Sequence, residues 1–472
     1  MKRILIFIPV FIMAVNGCMV GPKLEKPMAD SPDAYRGSSL TQDSLQDLAW
    51  WELFGDAHLE ALIDSALVYN RSVQIAASRI IEAEAVVGFN RADIYPSFGY
   101  EGTAIRQKPD PGLASDGPGN LFAFGPNVLW ELDFWGKYRR ATQAARAELM
   151  ASEYGYQSIQ ISLISSVAGL YFQLLDYQAR LDISKRTLET RKESLWIIQE
   201  RYNMGIVPEI DLNQAQIQEA IAAGSVPLYE RQVARTEHAL SVLVGSNPGP
   251  VTYGPAKDLI LSPDIPAGIP SELLERRPDI LQAEQLFYAR TARIGVAQAM
   301  RFPSISLTAA FGAASSDLSG IATGESLVWS VGGGIVGPIF NFGKNKRRVE
   351  IEKQRAEQSL LAYEETVLSA FREVEDALVD AETYKRELAA SKRRVLAAVN
   401  AATLSRARYD GGQTSFLEVL ESERQMFNAE LAAAEIYRMH LDSYVRLYKS
   451  LGGGWITEQE PPQDQLSQSP AQ

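Results

Sequence analysis

The chain is written twice. A shift of 207 residues takes Ala76 to Ala283, Gly88 to Gly295, Pro96 to Pro303, Gly136 to Gly343, Lys137 to Lys344, Tyr202 to Tyr409, Gly205 to Gly412 and Gly245 to Gly452. One offset that holds over so long a span identifies a duplicated unit with almost no net insertion, and whatever fold one half adopts the other must adopt as well. The halves run over about 50–249 and 271–455, joined by a stretch at 250–270 that contains Pro250, Pro255, Pro263, Pro266 and Pro270 and reads as an extended linker. Each half has the same order: an alanine-rich helix, a strand pair, then a very long helical region interrupted by glycine.

The helical regions set the fold class. No glycine occurs from Lys344 to Asp410 and no proline from Ile339 to Glu460, which predicts long helices at about 344–410 and 415–450. The first would be roughly 100 Å long at about 1.5 Å per residue. Its apolar positions Leu360, Tyr363, Val367, Ala370, Val374, Ala377, Ala381, Tyr384 and Leu388 advance by alternating threes and fours, the seam of a left-handed coiled coil. A second seam, Leu361, Leu368, Phe371 and Leu378, lies beside it. Two adjacent seams let one helix pack against a neighbour on each side, so a closed ring of helices becomes possible.

The strand pairs are read from alternation. Strands are predicted at about 97–106 and 121–134 in the first half, and at about 303–313 and 326–340 in the second. Ile305, Leu307, Ala309 and Phe311 share one side while Ser304, Ser306 and Thr308 take the other, and Leu327, Trp329, Val331 and Ile335 face small residues. Strands of about ten residues with an apolar outer face suit a membrane barrel, but four cannot close one. If these strands lie in a membrane, the chain must therefore oligomerise: two copies would give eight strands and a filled interior, three would give 12 and room for water. The expected fold class is mainly α with a small β membrane part.

The N-terminus carries an address. Lys2 and Arg3 precede an apolar run from Ile4 to Val15, too short to span a bilayer and laid out like an export signal at 1–17. Its end, Val15-Asn16-Gly17-Cys18, resembles a bacterial lipoprotein signal, which makes Cys18 a lipid attachment point. Met19 stands where a retaining aspartate would keep such a lipoprotein at the inner membrane, so the resemblance favours the outer membrane. Residues 18–49 would then be a lipid-anchored extended segment, and 456–472 a disordered tail.

Composition removes other classes. Cys18 is the sole cysteine, so no intrachain disulfide can form, and a net charge of −12 argues against nucleic acid as a partner. His58, His238 and His440 are far apart with no ligand spacing, so no metal site or other cofactor is expected. After residue 17 no apolar run is long enough for a spanning helix. Gly332, Gly334 and Gly337 fit a dinucleotide fingerprint, but Pro338 follows where a helix should start, and small residues in a barrel strand explain them better. No nucleophile, base and metal arrangement is found, so an enzyme is not expected.

Several blocks in order resemble the TolC-like outer membrane factors, specifically the NodT/OprM-type efflux lipoproteins. They are Cys-Met-Val-Gly-Pro at 18–22, Trp-Trp-Glu-Leu-Phe-Gly-Asp at 50–56, Arg-Arg-Pro-Asp-Ile at 276–280, Arg-Ile-Gly-Val-Ala-Gln-Ala at 293–299, Phe-Arg-Glu-Val-Glu-Asp-Ala-Leu at 371–378 and Leu-Gly-Gly-Gly-Trp at 451–455. The resemblance implies a homotrimer whose 12-stranded outer-membrane barrel continues into a 12-helix periplasmic tunnel. It implies passive conduction, with an inner-membrane efflux pump and a periplasmic membrane-fusion adaptor as partners and the outer membrane lipid as surroundings. The alternative is a structural periplasmic coiled-coil lipoprotein without a pore. The glycine breaks at Tyr202–Asp211 and Tyr409–Glu418 would then be hairpin turns at the periplasmic tip. On that analogy Tyr202, Gly205, Tyr409 and Gly412 shape the turns and dock the adaptor, and Glu209, Asp211, Glu418 and Glu421 are candidates for a gate or acidic rim. Some relatives carry an aspartate near the place of Thr414, so the charge of the gate does not transfer directly.

Overall fold

The computed structural model describes residues 19–28, 32, 35, 50–108, 118–254, 270–322 and 326–453. Cys18, the export signal, most of the 250–270 linker and the tail lie outside them. After a short 3-10 turn at Trp50–Phe54, the first half holds helices α1 (Ala57–Tyr69) and α2 (Arg71–Ala92), strands β1 (Ser97–Gln107) and β2 (Gly119–Leu132), and helices α3 (Lys137–Asn203) and α4 (Glu209–Leu243). The second holds α5 (Pro270–Arg276), α6 (Pro278–Ala299), β3 (Ser304–Ser315), β4 (Leu327–Val336), α7 (Lys344–Asp410) and α8 (Phe416–Ser450). Adding 207 to both ends of α2, α3 and α4 gives both ends of α6, α7 and α8. Helix length is thus dictated twice by the same signals, a glycine of positive φ just before each long helix and another just after it.

The compact units are not the repeats. One unit combines residues 1–29, 78–154 and 282–365; the other combines 30–77, 155–281 and 366–472, so each draws on both halves of the sequence.

In the first unit the four strands form one antiparallel sheet in the order β1-β2-β3-β4. The register sorts its two faces. Phe98 pairs with Val128, Gly102 with Phe124, Trp130 with Leu307, Ala309 with Val331 and Phe311 with Trp329, which puts these apolar residues on one face. Ser97, Glu101, Thr103, Asn127, Ser306, Thr308 and Ser330 fall on the other. Phe98, Tyr100, Trp329 and Val331 are 70 to 82% exposed, so the apolar face is uncovered. β1 and β4 each pair on one side only among the described residues. β4 ends at Val336, short of the expected 340, because Pro338 has no N–H for the ladder and a Cβ on Gly337 would lie 2.8 Å from Pro303. Gly332 and Gly334 are strand residues facing Thr308 and Ser306, not a nucleotide loop.

The second unit is packed around α3. Leu59 and Ile63 of α1, Ile164, Val167, Ala168, Tyr171 and Phe172 of α3, Leu240 of α4 and Leu441 of α8 form its core. Full burial of side chains this size contributes about 1.5–3 kcal/mol each. Asp56 caps α1 by accepting from His58 and Leu59 backbone N–H groups, and accepts from the Tyr171 hydroxyl at 2.5 Å. That hydroxyl also accepts from Gly254 N–H at 3.2 Å, so the start of the linker is held to the same point. Contrary to the sequence expectation, an 18-residue window of α3 is long and apolar enough to span a membrane, with mean hydropathy 1.4. Half of it is buried inside the protein, as a helix at the centre of a core requires.

The two seams of α7 have different fates. Tyr363, Val367, Ala370, Val374, Ala377 and Leu388 of the first are buried within the chain. The second divides: Leu361 and Leu368 are 55% and 68% exposed, whereas Phe371 is buried.

Candidate functional site: the two glycine turns

Both turns are closed by the same chemistry. Gly205 and Gly412 have φ of 69° and 70°, and a Cβ at either would meet no atom within 4 Å. Glycine is required there by backbone conformation rather than by crowding. Gly205 N–H donates to Tyr202 O at 2.8 Å and Ile206 N–H to Arg201 O at 2.8 Å; Gly412 N–H donates to Tyr409 O at 2.9 Å and Gln413 N–H to Arg408 O at 2.8 Å. These paired bonds satisfy the last carbonyls of α3 and α7 and reverse the chain within five residues.

The fold brings the two turns together. Ile198, Leu212 and Ala215 from the first repeat pack with Phe416, Val419 and Leu420 from the second, with Val207 and Tyr409 against them. The tyrosines are not equivalent. Tyr409 lies between the Phe416 ring, at 5.4 Å, and the Arg201 guanidinium, at 5.1 Å, whereas Tyr202 is exposed.

The four candidate acids also divide. Glu418 accepts from Arg408 at 3.1 Å across the turn and from the Thr414 hydroxyl. Glu421 accepts from Arg424 Nη2 at 2.7 Å and Nε at 2.9 Å, and these bonds hold its carboxyl below the usual range. Glu209 and Asp211 make no ion pair among the described residues and stand in the first turn of α4, where the helix dipole favours them. The second-repeat turn therefore carries acids already matched by arginines, and the first-repeat turn carries unmatched ones.

One group of residues beside the turns has no counterpart in the sequence expectations. Arg191, 3% exposed, donates to Gln218 O at 2.7 Å and lies 5.2 Å from the Phe427 ring. Arg406 donates to Ser194 Oγ at 2.9 Å and to Glu423 at 3.2 Å. Burial pushes the Glu423 carboxyl up, opposed by the Arg406 and Arg191 charges. This cluster joins α3, α4, α7 and α8. Its members are scattered charged residues in helical sequence, and only three-dimensional packing collects them.

Cys18 is outside the described residues, but the segment after it is held in place. Val20 N–H donates to Trp135 O at 3.1 Å, and Arg140 Nε donates to Val20 O at 3.1 Å. A Cβ on Gly21 would lie 2.6 Å from Gly295 Cα, and one on Gly136 would lie 2.6 Å from Met19 Cγ. These contacts seat residues 19–21 at the junction of β2 and α3.

A duplicated chain of long helical hairpins, each half adding two strands to a sheet with an uncovered apolar face, is a membrane-channel subunit in its design. The outer membrane efflux protein model matches residues 62–246 and 269–453, two matches displaced by the same 207 residues as the repeat. The chain belongs to that family. It is 33% identical to the cation efflux system protein CusC of Escherichia coli O6:H1 over 453 residues, 94% of this chain and 97% of that one. It is 32% identical to the toluene efflux pump outer membrane protein TtgC of Pseudomonas putida over 481 residues, 99% of each. Among solved structures, the Campylobacter jejuni CmeC outer membrane channel matches with a TM-score of 0.86 and 27% identity, covering 94% of this chain and 96% of that one.

Proposed function

We propose that the chain forms the outer-membrane channel of a tripartite efflux system, a passive duct from the periplasm to the exterior. The observation that carries this is the sheet: one face is apolar and uncovered, the other holds most of the small and polar residues, and β1 and β4 each pair on one side only among the described residues. Such a sheet is tolerated in hydrocarbon only when other copies close it into a barrel with the polar face inward. Three copies supply 12 strands, and the exposed seam of Leu361 and Leu368 supplies the helical contact between them. A pore-free structural coiled coil has no use for that sheet.

In this reading an inner-membrane pump and a periplasmic adaptor deliver the cargo, the adaptor meeting the turns at Tyr202, Gly205, Tyr409 and Gly412. Glu209, Asp211, Glu418 and Glu421 line the rim, and a lipid on Cys18 tethers the barrel from outside. The relatives named above export cations and toluene, by their names, and the cargo of this chain follows the pump that feeds it. Cross-linking of the purified protein in detergent is expected to stop at three subunits, and planar bilayers containing it are expected to conduct ions. A dominant dimer, or insertion without conductance even after the turn acids are neutralised, would refute the channel.

A further inference from the structure

The two repeats differ where strand gives way to helix. In the first, Lys137 Nζ donates to Glu131 at 3.0 Å, Arg139 Nε to Asp133 at 3.2 Å and Arg140 Nε to the Val20 carbonyl at 3.1 Å. Every cation at the start of α3 has its partner inside the chain. Shifted by 207, those cations persist as Lys344, Lys346 and Arg347, but Glu131 is replaced by Pro338 and Asp133 by Phe340. No Asp or Glu occurs from Ser326 to Val349. Arg347 turns to Glu350 at 2.6 Å, and Lys344 and Lys346 are exposed with no partner among the described residues.

The residues in place of the acids are apolar and uncovered. Ile339, Phe340 and Phe342 are 103%, 75% and 90% exposed, and the two phenylalanine rings lie 4.6 Å apart. In the first repeat the residue matching Phe342 is Trp135, which stacks on Phe302 at 4.4 Å and donates to the Pro303 carbonyl at 2.8 Å. Phe342 instead has φ 51°, a left-handed conformation unfavourable for a bulky side chain, and its ring meets Phe340 edge-on while staying 90% exposed. Beside these residues a recess of about 440 Å³ is lined by Trp135, Met300, Lys344 and Arg348 together with Glu131 and Asp133, whose carboxylates are paired with Lys137 and Arg139.

Exposed aromatic side chains followed within one turn by unmatched cations reproduce the order met on leaving a bilayer, acyl chains first and phosphates next. We propose that this junction binds the phosphate of an anionic phospholipid in the periplasmic leaflet. Lys344 and Lys346 supply the countercharge, and Ile339, Phe340 and Phe342 lie against the acyl chains. Lipid supplies in the second repeat the negative charge that Glu131 and Asp133 supply in the first. The proposal rests on the outer-membrane reading above.

The test uses the full-length protein in nanodiscs containing equal phosphatidylglycerol and phosphatidylcholine, with retained lipid counted by native mass spectrometry after detergent extraction. The protein is expected to retain phosphatidylglycerol over phosphatidylcholine by roughly 30-fold, the order that two lysines at a phosphate surface provide. Lys344→Gln with Lys346→Gln should bring the ratio close to one while oligomer mass and conductance stay unchanged, and Lys344→Arg with Lys346→Arg should restore it. Arg393→Gln with Arg394→Gln, which removes equal charge from elsewhere on α7, should leave the preference intact. The proposal is overturned if the Gln variant keeps its preference, or if the α7 control loses it equally. It is also overturned if the Gln variant dissociates the oligomer with lipid retained, since the two lysines would then meet acids of a second copy. Failure to insert or conduct at all would sink the channel reading instead.

Discussion

Asn70 and Arg277 stand 207 residues apart and do the same job with different chemistry. Asn70 Nδ2 donates to the Leu243 carbonyl at 2.8 Å and Arg277 Nη1 to the Ser450 carbonyl at 3.1 Å, and those carbonyls, the last of α4 and α8, are themselves 207 residues apart. Asn70 also caps α2 by accepting from Ser72 and Val73 backbone N–H groups. Arg277 is tied further to Asp279 at 2.6 Å and Glu373 at 2.8 Å.

Loss of these two side chains should therefore cost different amounts. Asn70→Ala removes one cap and one bond to a carbonyl, about 1–2 kcal/mol. Arg277→Ala removes a buried guanidinium from a helix end and from two carboxylates that water partly reaches, about 2–3 kcal/mol. Thermal unfolding in detergent followed by tryptophan fluorescence should show the larger drop for Arg277→Ala; equal drops would mean that the ion pairs of Arg277 contribute nothing.

Cys18→Ser should abolish incorporation of labelled fatty acid. Because Val20 and Gly21 are already seated against Trp135, Arg140 and Gly295, the variant is expected to keep its conductance in bilayers and to lose efficiency of placement in the cell. Persistent labelling would refute the lipid site.

At the turns, replacing Glu209, Asp211, Glu418 and Glu421 by Gln or Asn should change conductance or weaken cation preference. Arg424→Gln alone should strengthen cation preference, since it releases Glu421 from its two-bond pairing. Reversal potentials across a salt gradient read both changes; a channel indifferent to all five substitutions would place the rim elsewhere.

Asp442 supplies a pH dependence. Burial pushes its carboxyl up to about 6, with Asp176 adding to the rise and Arg438 and Arg446 opposing it. The folded state thus holds a proton that the unfolded chain releases near pH 4, so this group favours folding at low pH and loses that contribution as pH rises through about 6. His440, held low mainly by burial, acts in the opposite sense, which is why a comparison isolates the carboxyl. The melting temperature of Asp442→Asn minus that of the unmodified protein should increase by about 1 °C between pH 5 and pH 7.5, as about 1 kcal/mol gives for a chain of this length. A difference independent of pH would remove Asp442 from this role.

Much of this architecture was legible in the chain. The duplication, the long helices, the alternation that separates the sheet's faces and the glycine turns all rest on local rules: periodicity, the absence of glycine and proline, and the need for positive φ at Gly205 and Gly412. The likeness of Asn70 to Arg277 was hidden, because a side chain's job depends on the carbonyl it reaches and not on its own type. The pairing of Glu418 with Arg408 was equally hidden, since ten residues of sequence separate groups that the turn brings to 3.1 Å.

The sequence by itself determined where each helix starts and stops and which strand residues are apolar, because backbone conformation and side-chain alternation are set by near neighbours. The tertiary structure alone decided that each compact unit would draw on both repeats, that Tyr409 would be covered while Tyr202 is exposed, and that Arg191, Arg406 and Glu423 would meet beside the turns. Those outcomes depend on which distant groups share a volume from which water is excluded, and the duplicated sequence, with the same order of elements in both halves, leaves that choice to packing.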